Sequence, residues 1–368
     1  MKLLCIFTTL LGHRTMVGKL RRAIDSLPGV EPSYVLVENA DYVKYPAPWW
    51  ARATHPWHAQ FVARQKVKET RPAGFEAVFF NAWELAVAFE DIARKVPAAA
   101  ILDAVPSTFD IQLRQRGLGG WKRQLSHQVH DRAFRRAARE IDLFLPMGSD
   151  CMNALLQDYG VPPERCPGVT FPPQDLEVSG HEARNYSKPL RLLFVGQQFI
   201  RKGGDFLLRL YTERLAATCT LTIVTSDPAL EGRQLPAGVE KLSSLSLEDL
   251  RQVYRDSHLF LFPTRQDFMP QVLAEALAFG LPCMANDVGA ISDVVRDNET
   301  GFLMRQDASV DDWASRIDRL VADPSEMARL SGMARGFAED QFNPSRFRSV
   351  IEGALDSLAS KKPAALVS

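Results

Sequence analysis

The chain has 368 residues, which suits two domains of ordinary size, and its 46% hydrophobic and 24% charged content is that of a soluble globular protein. Its formal net charge is zero, which argues against a general nucleic-acid binder, and no apolar stretch is long enough to span a membrane. The five cysteines are scattered, odd in number and without metal-ligand spacing, so reduced thiols and a cytoplasmic location are expected.

Residues 3–9 read as a strand. Gly12, His13 and Arg14 interrupt the apolar start too early for a signal peptide. A loop over 10–15 containing Gly12 leads to a helix over 17–27, with Leu20, Ala23, Ile24 and Leu27 on one face. Pro28-Gly29 ends it, and 33–38 form the next strand. Strand, glycine loop, helix, strand is the unit of a doubly wound sheet.

Residues 42–64 carry Trp49, Trp50, Trp57, His55 and His58, with prolines that disfavour a continuous helix in the early part. They read as a local core holding down a long loop; contact with an acceptor sugar is the alternative. Strands are expected at 77–80 and 98–102, with a helix to Lys95 between them.

Residues 114–139 hold Arg114, Arg116, Lys122, Arg123, Arg132, Arg135, Arg136 and Arg139 against Asp131 alone. Trp121, Leu125, Val129 and Phe134 fall at helical spacing. Such a basic amphipathic helix lies on an anionic membrane surface or presents a solvated face, and both readings stand. A strand over 141–146 and a helix over 151–159, capped by Gly148-Ser149-Asp150, follow. The Pro- and Gly-rich stretch 167–187 reads as a linker.

The second half repeats the alternation. A strand over 190–195 ends at Gly196, and a helix over 206–211 and a strand over 221–224 come next. Ser246 N-caps a further helix. Leu259-Phe260-Leu261-Phe262 is too short for a helix and suits a buried strand. Pro270 fits the first turn of the helix after it, and Gly280 with Pro282 stops that helix. Helices over 313–320, 325–337 and 347–358 complete the chain, with a frayed tail from 361.

Asp267 and Glu275 flank the strand-to-helix turn, and Glu275 falls among Leu273, Ala274, Ala276 and Leu277. A carboxylate there is costly to bury without a partner. A sugar or ribose diol is one such partner, since a carboxylate accepts two hydrogen bonds at once; an Arg elsewhere in the fold is the other.

The stretch Asp267, seven residues, then Glu275-Ala276-Leu277-Ala278-Phe279-Gly280 resembles the signature of the group-1, family-four, retaining glycosyltransferases of GT-B fold. Residues 288–295 resemble that family's loop past the donor phosphates, and Asp297-Asn298-Glu299-Thr300-Gly301-Phe302-Leu303 its following turn and strand. Lys202-Gly203 keeps the family's Lys-Gly pair. Gln197 stands where the family has Arg, Asp267 where it has Glu, and Asp103 where many members have His.

The resemblance implies an α/β GT-B fold: two facing Rossmann-like doubly wound domains with an interdomain cleft. The acceptor-side domain would span 1–170, the linker 171–188 and the nucleotide-sugar domain 189–345. A helix crossing back to the first domain, with the tail, would occupy 346–368. It implies transfer of a sugar from a nucleotide-diphosphate sugar to a glycan or lipid-linked acceptor, at the inner membrane face if the basic helix binds lipid.

In this picture Glu275 binds the ribose, Asp267 the sugar hydroxyls, and Arg201 and Lys202 the diphosphate. Gly196, Met269, Pro270, Gln271, Gly289 and Ala290 line the same donor. Asp103 joins Asp267, Glu275 and Lys202 in the catalytic set. Gly12 and His13 contact donor or acceptor, or form an ordinary surface loop. No Asp-x-Asp element stands out, so neither metal nor resident cofactor is expected; the nucleotide sugar is a co-substrate. A nucleotide-sugar epimerase on this fold is a second enzyme reading. The departures at Gln197, Asp267 and Asp103 give weight to a non-catalytic sugar-binding protein.

Overall fold

The computed structural model describes residues 1–10, 13–48, 55–109, 121–174, 184–186 and 188–361, with the backbone alone for residues 55 and 121–123. The chain divides into two units, Met1–Pro173 with Pro344–Ser368, and Gln174–Asn343.

The first unit is built on a five-stranded parallel sheet of order β2-β1-β3-β4-β5. The strands are β1 (Lys2–Thr8), β2 (Glu31–Val37), β3 (Ala77–Phe80), β4 (Ala98–Leu102) and β5 (Leu143–Pro146). Strands β3, β4 and β5 are buried along their whole length, as expected when helices cover both faces of a parallel sheet. The strand order reverses direction between β1 and β3, and an open α/β sheet forms its crevice at that point. Asn81, just past β3, ties the two strand ends together: its Oδ1 accepts from the Thr8 N–H at 2.8 Å and its Nδ2 donates to the Thr8 carbonyl at 2.9 Å. The last helix, Pro344–Ala359, belongs to this unit and packs on the helix His13–Asp25 and on β4.

The second unit carries a six-stranded parallel sheet of order β11-β10-β9-β6-β7-β8. Its strands are β6 (Leu190–Val195), β7 (Cys219–Val224), β8 (Val239–Leu242), β9 (Leu259–Phe262), β10 (Cys283–Asn286) and β11 (Gly301–Met304). Read from β8, this is the order of a dinucleotide-binding doubly wound sheet, with its switch point between β6 and β9.

Several local expectations are corrected. The first helix starts at His13 and not after residue 15: the His13 N–H donates to the Leu10 carbonyl, and Met16 and Val17 bury in the first turns. The helix expected to run to Lys95 is two short ones, Trp83–Ala88 and Glu90–Ala93. Phe89 leaves the helical region at φ −123° while its buried ring stacks on Phe80. Gly148 caps the helix Ser149–Gln157, with no side-chain cap bond, and Asp150 lies in its first turn. Pro270 is likewise a cap: its ψ of 113° is extended, and the helix proper is Gln271–Ala278. Strand β8 was not expected at all; it is a half-buried edge strand carrying Glu240 and Lys241.

In the aromatic stretch the helix His55–Thr70 takes Pro56 into its first turn. Trp57 packs on His130 at 5.4 Å and Tyr42 on His58 at 4.9 Å, so for these residues the local-core reading holds. Trp49 and Trp50 lie outside the described residues, as do Gly12, Arg114, Arg116 and most of the expected linker. No helix among the described residues is long and apolar enough to cross a membrane.

Candidate functional site

The turn after β6 is seated by glycines. Gly203 has φ +78°, and a Cβ there would lie 1.9 Å from the Pro263 carbonyl oxygen; one on Gly204 would lie 2.0 Å from the Phe199 ring. Only glycine lets the turn close on the end of β9. Within it the Lys202, Gly203 and Gly204 N–H groups donate to the Gln198, Ile200 and Phe199 carbonyls at 3.0, 3.1 and 2.9 Å. Those backbone donors are engaged, so anion recognition here falls to side chains. Gln197 accepts from the Ser226 N–H at 3.1 Å, joining this turn to the one after β7.

Lys202 lays its stem over Gly196, where a Cβ would meet Lys202 Cδ at 2.8 Å. Its Nζ sits 5.0 Å from the Phe262 ring centroid and 3.3 Å from Asp267 Oδ2. Arg201 Nη1 approaches the same Oδ2 at 3.7 Å and donates to the Gln266 carbonyl. Two half-buried cations of the turn after β6 thus converge on one carboxylate of the turn after β9, across the switch point. Arg265 holds the two turns together with a two-pronged pair to Asp205 at 2.7 and 2.8 Å.

Beyond Asp267, Met269 and Pro270 are buried, and Gln271 Oε1 accepts from Gln174 Nε2 at 3.3 Å. The helix Gln271–Ala278 ends on Gly280 at φ +61°. There the Gly280 N–H donates to Leu277 and the Leu281 N–H to Ala276, which satisfies the last carbonyls. Glu275 is half-buried, and its partner is neither of the two expected: the Tyr254 hydroxyl donates to Oε2 at 3.0 Å. Glu275 and Asp267 share one strand–turn–helix but make separate contacts, Glu275 with Tyr254 and Asp267 with the cations of the β6 turn. Gly289 has φ +58°, and the Ala290 N–H donates to the Phe268 carbonyl at 3.1 Å, so that amide is already engaged.

In the first unit, His13 follows β1 and Asp103 follows β4, and they meet at 3.9 Å between Nε2 and Oδ2. Glu84 follows β3 in the first turn of its helix. Burial pushes its carboxyl up to about 7, with the Asp103 charge adding to the effect. Glu84, Tyr254, Arg265 and Arg184 are the residues that reading the sequence did not single out. Each draws its role from a partner far along the chain, which no local sequence signal marks.

Residues 189–323 match the family model described as Glycosyl transferases group 1. A D-inositol 3-phosphate glycosyltransferase of Rhodococcus opacus is 29% identical over 224 residues, 55% of this chain and 50% of that protein. The chain therefore spans about half the length of this curated relative. Among solved structures, sucrose-phosphate synthase from Thermosynechococcus elongatus superposes with a TM-score of 0.74 at 15% identity, covering 98% of this chain and 99% of that one. Anabaena HepE in complex with UDP-glucose gives 0.69 at 16%, covering 97% and 100%. These likenesses show the GT-B fold, and the match to the group 1 glycosyltransferase model covers residues 189–323 of the second unit.

Proposed function

We propose that the protein is a metal-independent, retaining hexosyltransferase that moves a sugar from a nucleotide-diphosphate sugar to a glycan or lipid-linked acceptor of the cell envelope. The observation that carries this reading is the convergence of Arg201 and Lys202 at the switch point of the second sheet. Breaking the glycosidic bond leaves negative charge on a diphosphate. Two cations already held in place by Asp267 stabilise that charge without reorganising. With Asp267 the one carboxylate paired with them among the described residues, they retain a net positive charge for the incoming phosphates. Glu275 accepts the ribose hydroxyls, and the acceptor hydroxyl attacks on the face the diphosphate leaves, its proton passing to the departing oxygen. His13 and Asp103 serve the acceptor side in this reading, with Gly12 next to His13 in sequence.

HepE was solved in complex with UDP-glucose, which makes that donor the first to try. The test is a panel of UDP-, GDP- and ADP-sugars labelled in the sugar and offered with membrane extracts as acceptor, with the product anomer read by NMR. Transfer with retained configuration is the expected result. An epimerised donor, or binding without turnover of any donor, would replace this reading with one of its rivals.

A lipid-linked acceptor is supported by the helix Trp121–Glu140. Leu125 and Val129 are 56% and 39% exposed there, and Arg132 and Arg139 have no ion-pair partner among the described residues. Apolar and cationic side chains on one exposed face suit the inner surface of an anionic membrane. Co-sedimentation with phosphatidylglycerol vesicles but not with phosphatidylcholine vesicles is the expected outcome.

A further inference from the structure

Tyr254 belongs to none of the motifs, yet among the described residues it is the side chain that holds Glu275. Its ring is 1% exposed, lies nearly parallel to Phe279 with centroids 5.4 Å apart, and packs on Phe260 at 6.1 Å. A ring so enclosed keeps its hydroxyl at a fixed point, 3.0 Å from Glu275 Oε2. Burial, with the Glu275 charge beside it, holds that hydroxyl well above the usual phenol range, so it stays a donor. Glu275 Oε1 has no partner among the described residues.

The two helices that carry this pair, Leu247–Asp256 and Gln271–Ala278, are joined a second time at their C-terminal ends. Arg184 reaches four carbonyls there. Nη1 donates to Gly280 at 2.7 Å and to Ser331 Oγ at 3.2 Å. Nη2 donates to Phe279 at 2.6 Å and Tyr254 at 3.3 Å, and Nε to Arg255 at 3.3 Å. Carbonyls at a helix end are otherwise unsatisfied, and a guanidinium presents five donors in a rigid plane. One arginine therefore fixes the end of the Tyr254 helix against the end of the Glu275 helix.

We propose that Tyr254 is a positioning residue for the donor site, locking the Glu275 carboxylate so that Oε1 and the remaining lone pair of Oε2 face a vicinal diol, and that Arg184 holds the two helices in the register this requires. The inference rests on the reading that Glu275 accepts the ribose hydroxyls. An unlocked carboxylate must be ordered by the ligand itself, which weakens recognition of the diol but leaves the diphosphate contacts alone.

The experiment measures binding of UDP, GDP and ADP by calorimetry, then compares the tightest with its 2′-deoxy counterpart. In the wild type the ribonucleotide binds more tightly. Tyr254→Phe, which keeps the ring stack, is expected to lower that preference about tenfold, the loss of one charge-assisted hydrogen bond. In a Glu275→Gln background it should add nothing, because Tyr254 acts through Glu275. Arg184→Lys should lower the preference partly, and the melting temperature as well. A purely structural tyrosine would lower the melting temperature and leave the ratio intact, and that result overturns the inference. If Glu275→Gln itself leaves the ratio intact, or none of the three nucleotides binds, the donor-site reading fails instead.

Discussion

At the strand ends of the second unit two cations, Arg201 and Lys202, converge on Asp267. At those of the first, the His13 imidazole faces Asp103, with a burial-raised Glu84 close enough to feel the Asp103 charge. Both clusters occupy the same kind of place, the carboxyl ends of parallel strands around a point where strand order reverses. The fold supplies the position in each case, and the side chains decide what it can hold. A cationic end suits phosphate, whereas a carboxylate-rich end suits hydroxyl groups that donate hydrogen bonds.

Removing the cation should break this contrast most sharply. Lys202→Ala is expected to lower kcat about 100-fold, as loss of one preorganised group facing transition-state charge does. Arg201→Ala should cost less, about tenfold, since its guanidinium is further from Asp267 and partly committed to Gln266. Both are read in steady-state kinetics with the donor that the panel identifies.

Changes in the first unit should spare the donor. His13→Ala and Asp103→Asn are expected to raise the acceptor KM by about tenfold, the loss of one hydrogen bond to a charged group, while nucleotide affinity by calorimetry stays within twofold of the wild type, about the error of such a comparison. Equal losses of donor affinity in the two units would erase the division of labour proposed above.

The smallest expected effect is on stability. Glu84 has a folded-state value raised to about 7 from an ordinary carboxylate value, so it favours folding as the neutral acid. Its contribution is full at low pH and is lost as pH rises through about 7. Glu84→Gln should therefore raise the urea midpoint of the first unit at pH 8 and leave it unchanged at pH 4. Buried His130 and His258 are both held down to about 4 by desolvation, so stability present above the ordinary imidazole range is lost as pH falls through about 4. Because each unit carries one of these, the acid limb should not distinguish them, and the Glu84 limb should.

How much of this could be read from the chain follows from how local each signal is. Leu259–Phe262 was legible to the residue, because four consecutive apolar side chains bounded by Pro263 have few other uses. The Gly280 stop was legible for a similar reason, since it punctuates the chain where it stands, whereas Gly203 entered only through the family's Lys-Gly pair. Strand β8 was not, because an edge strand with Glu240 and Lys241 carries a polar pattern that also suits a loop. Asp267 and Lys202 were each named as site residues, but their pairing was not, because it spans the switch point between strands far apart in sequence. Tyr254 shows the limit most plainly: an aromatic on an amphipathic helix signals burial, and nothing nearby tells that its hydroxyl reaches Glu275.

The arginine that closes the two helix ends also bears on how the folded chain meets a protease. Between Arg165 and Arg191 the only tryptic positions are Arg184 and Lys188, and Lys188 precedes a proline, which trypsin does not cleave. The Arg184 guanidinium is committed to four carbonyls and a hydroxyl, so it must leave them all before it can enter a specificity pocket. Nicking at Arg184 would then report opening of that helix-end junction, and a nucleotide that steadies the junction should slow the cut.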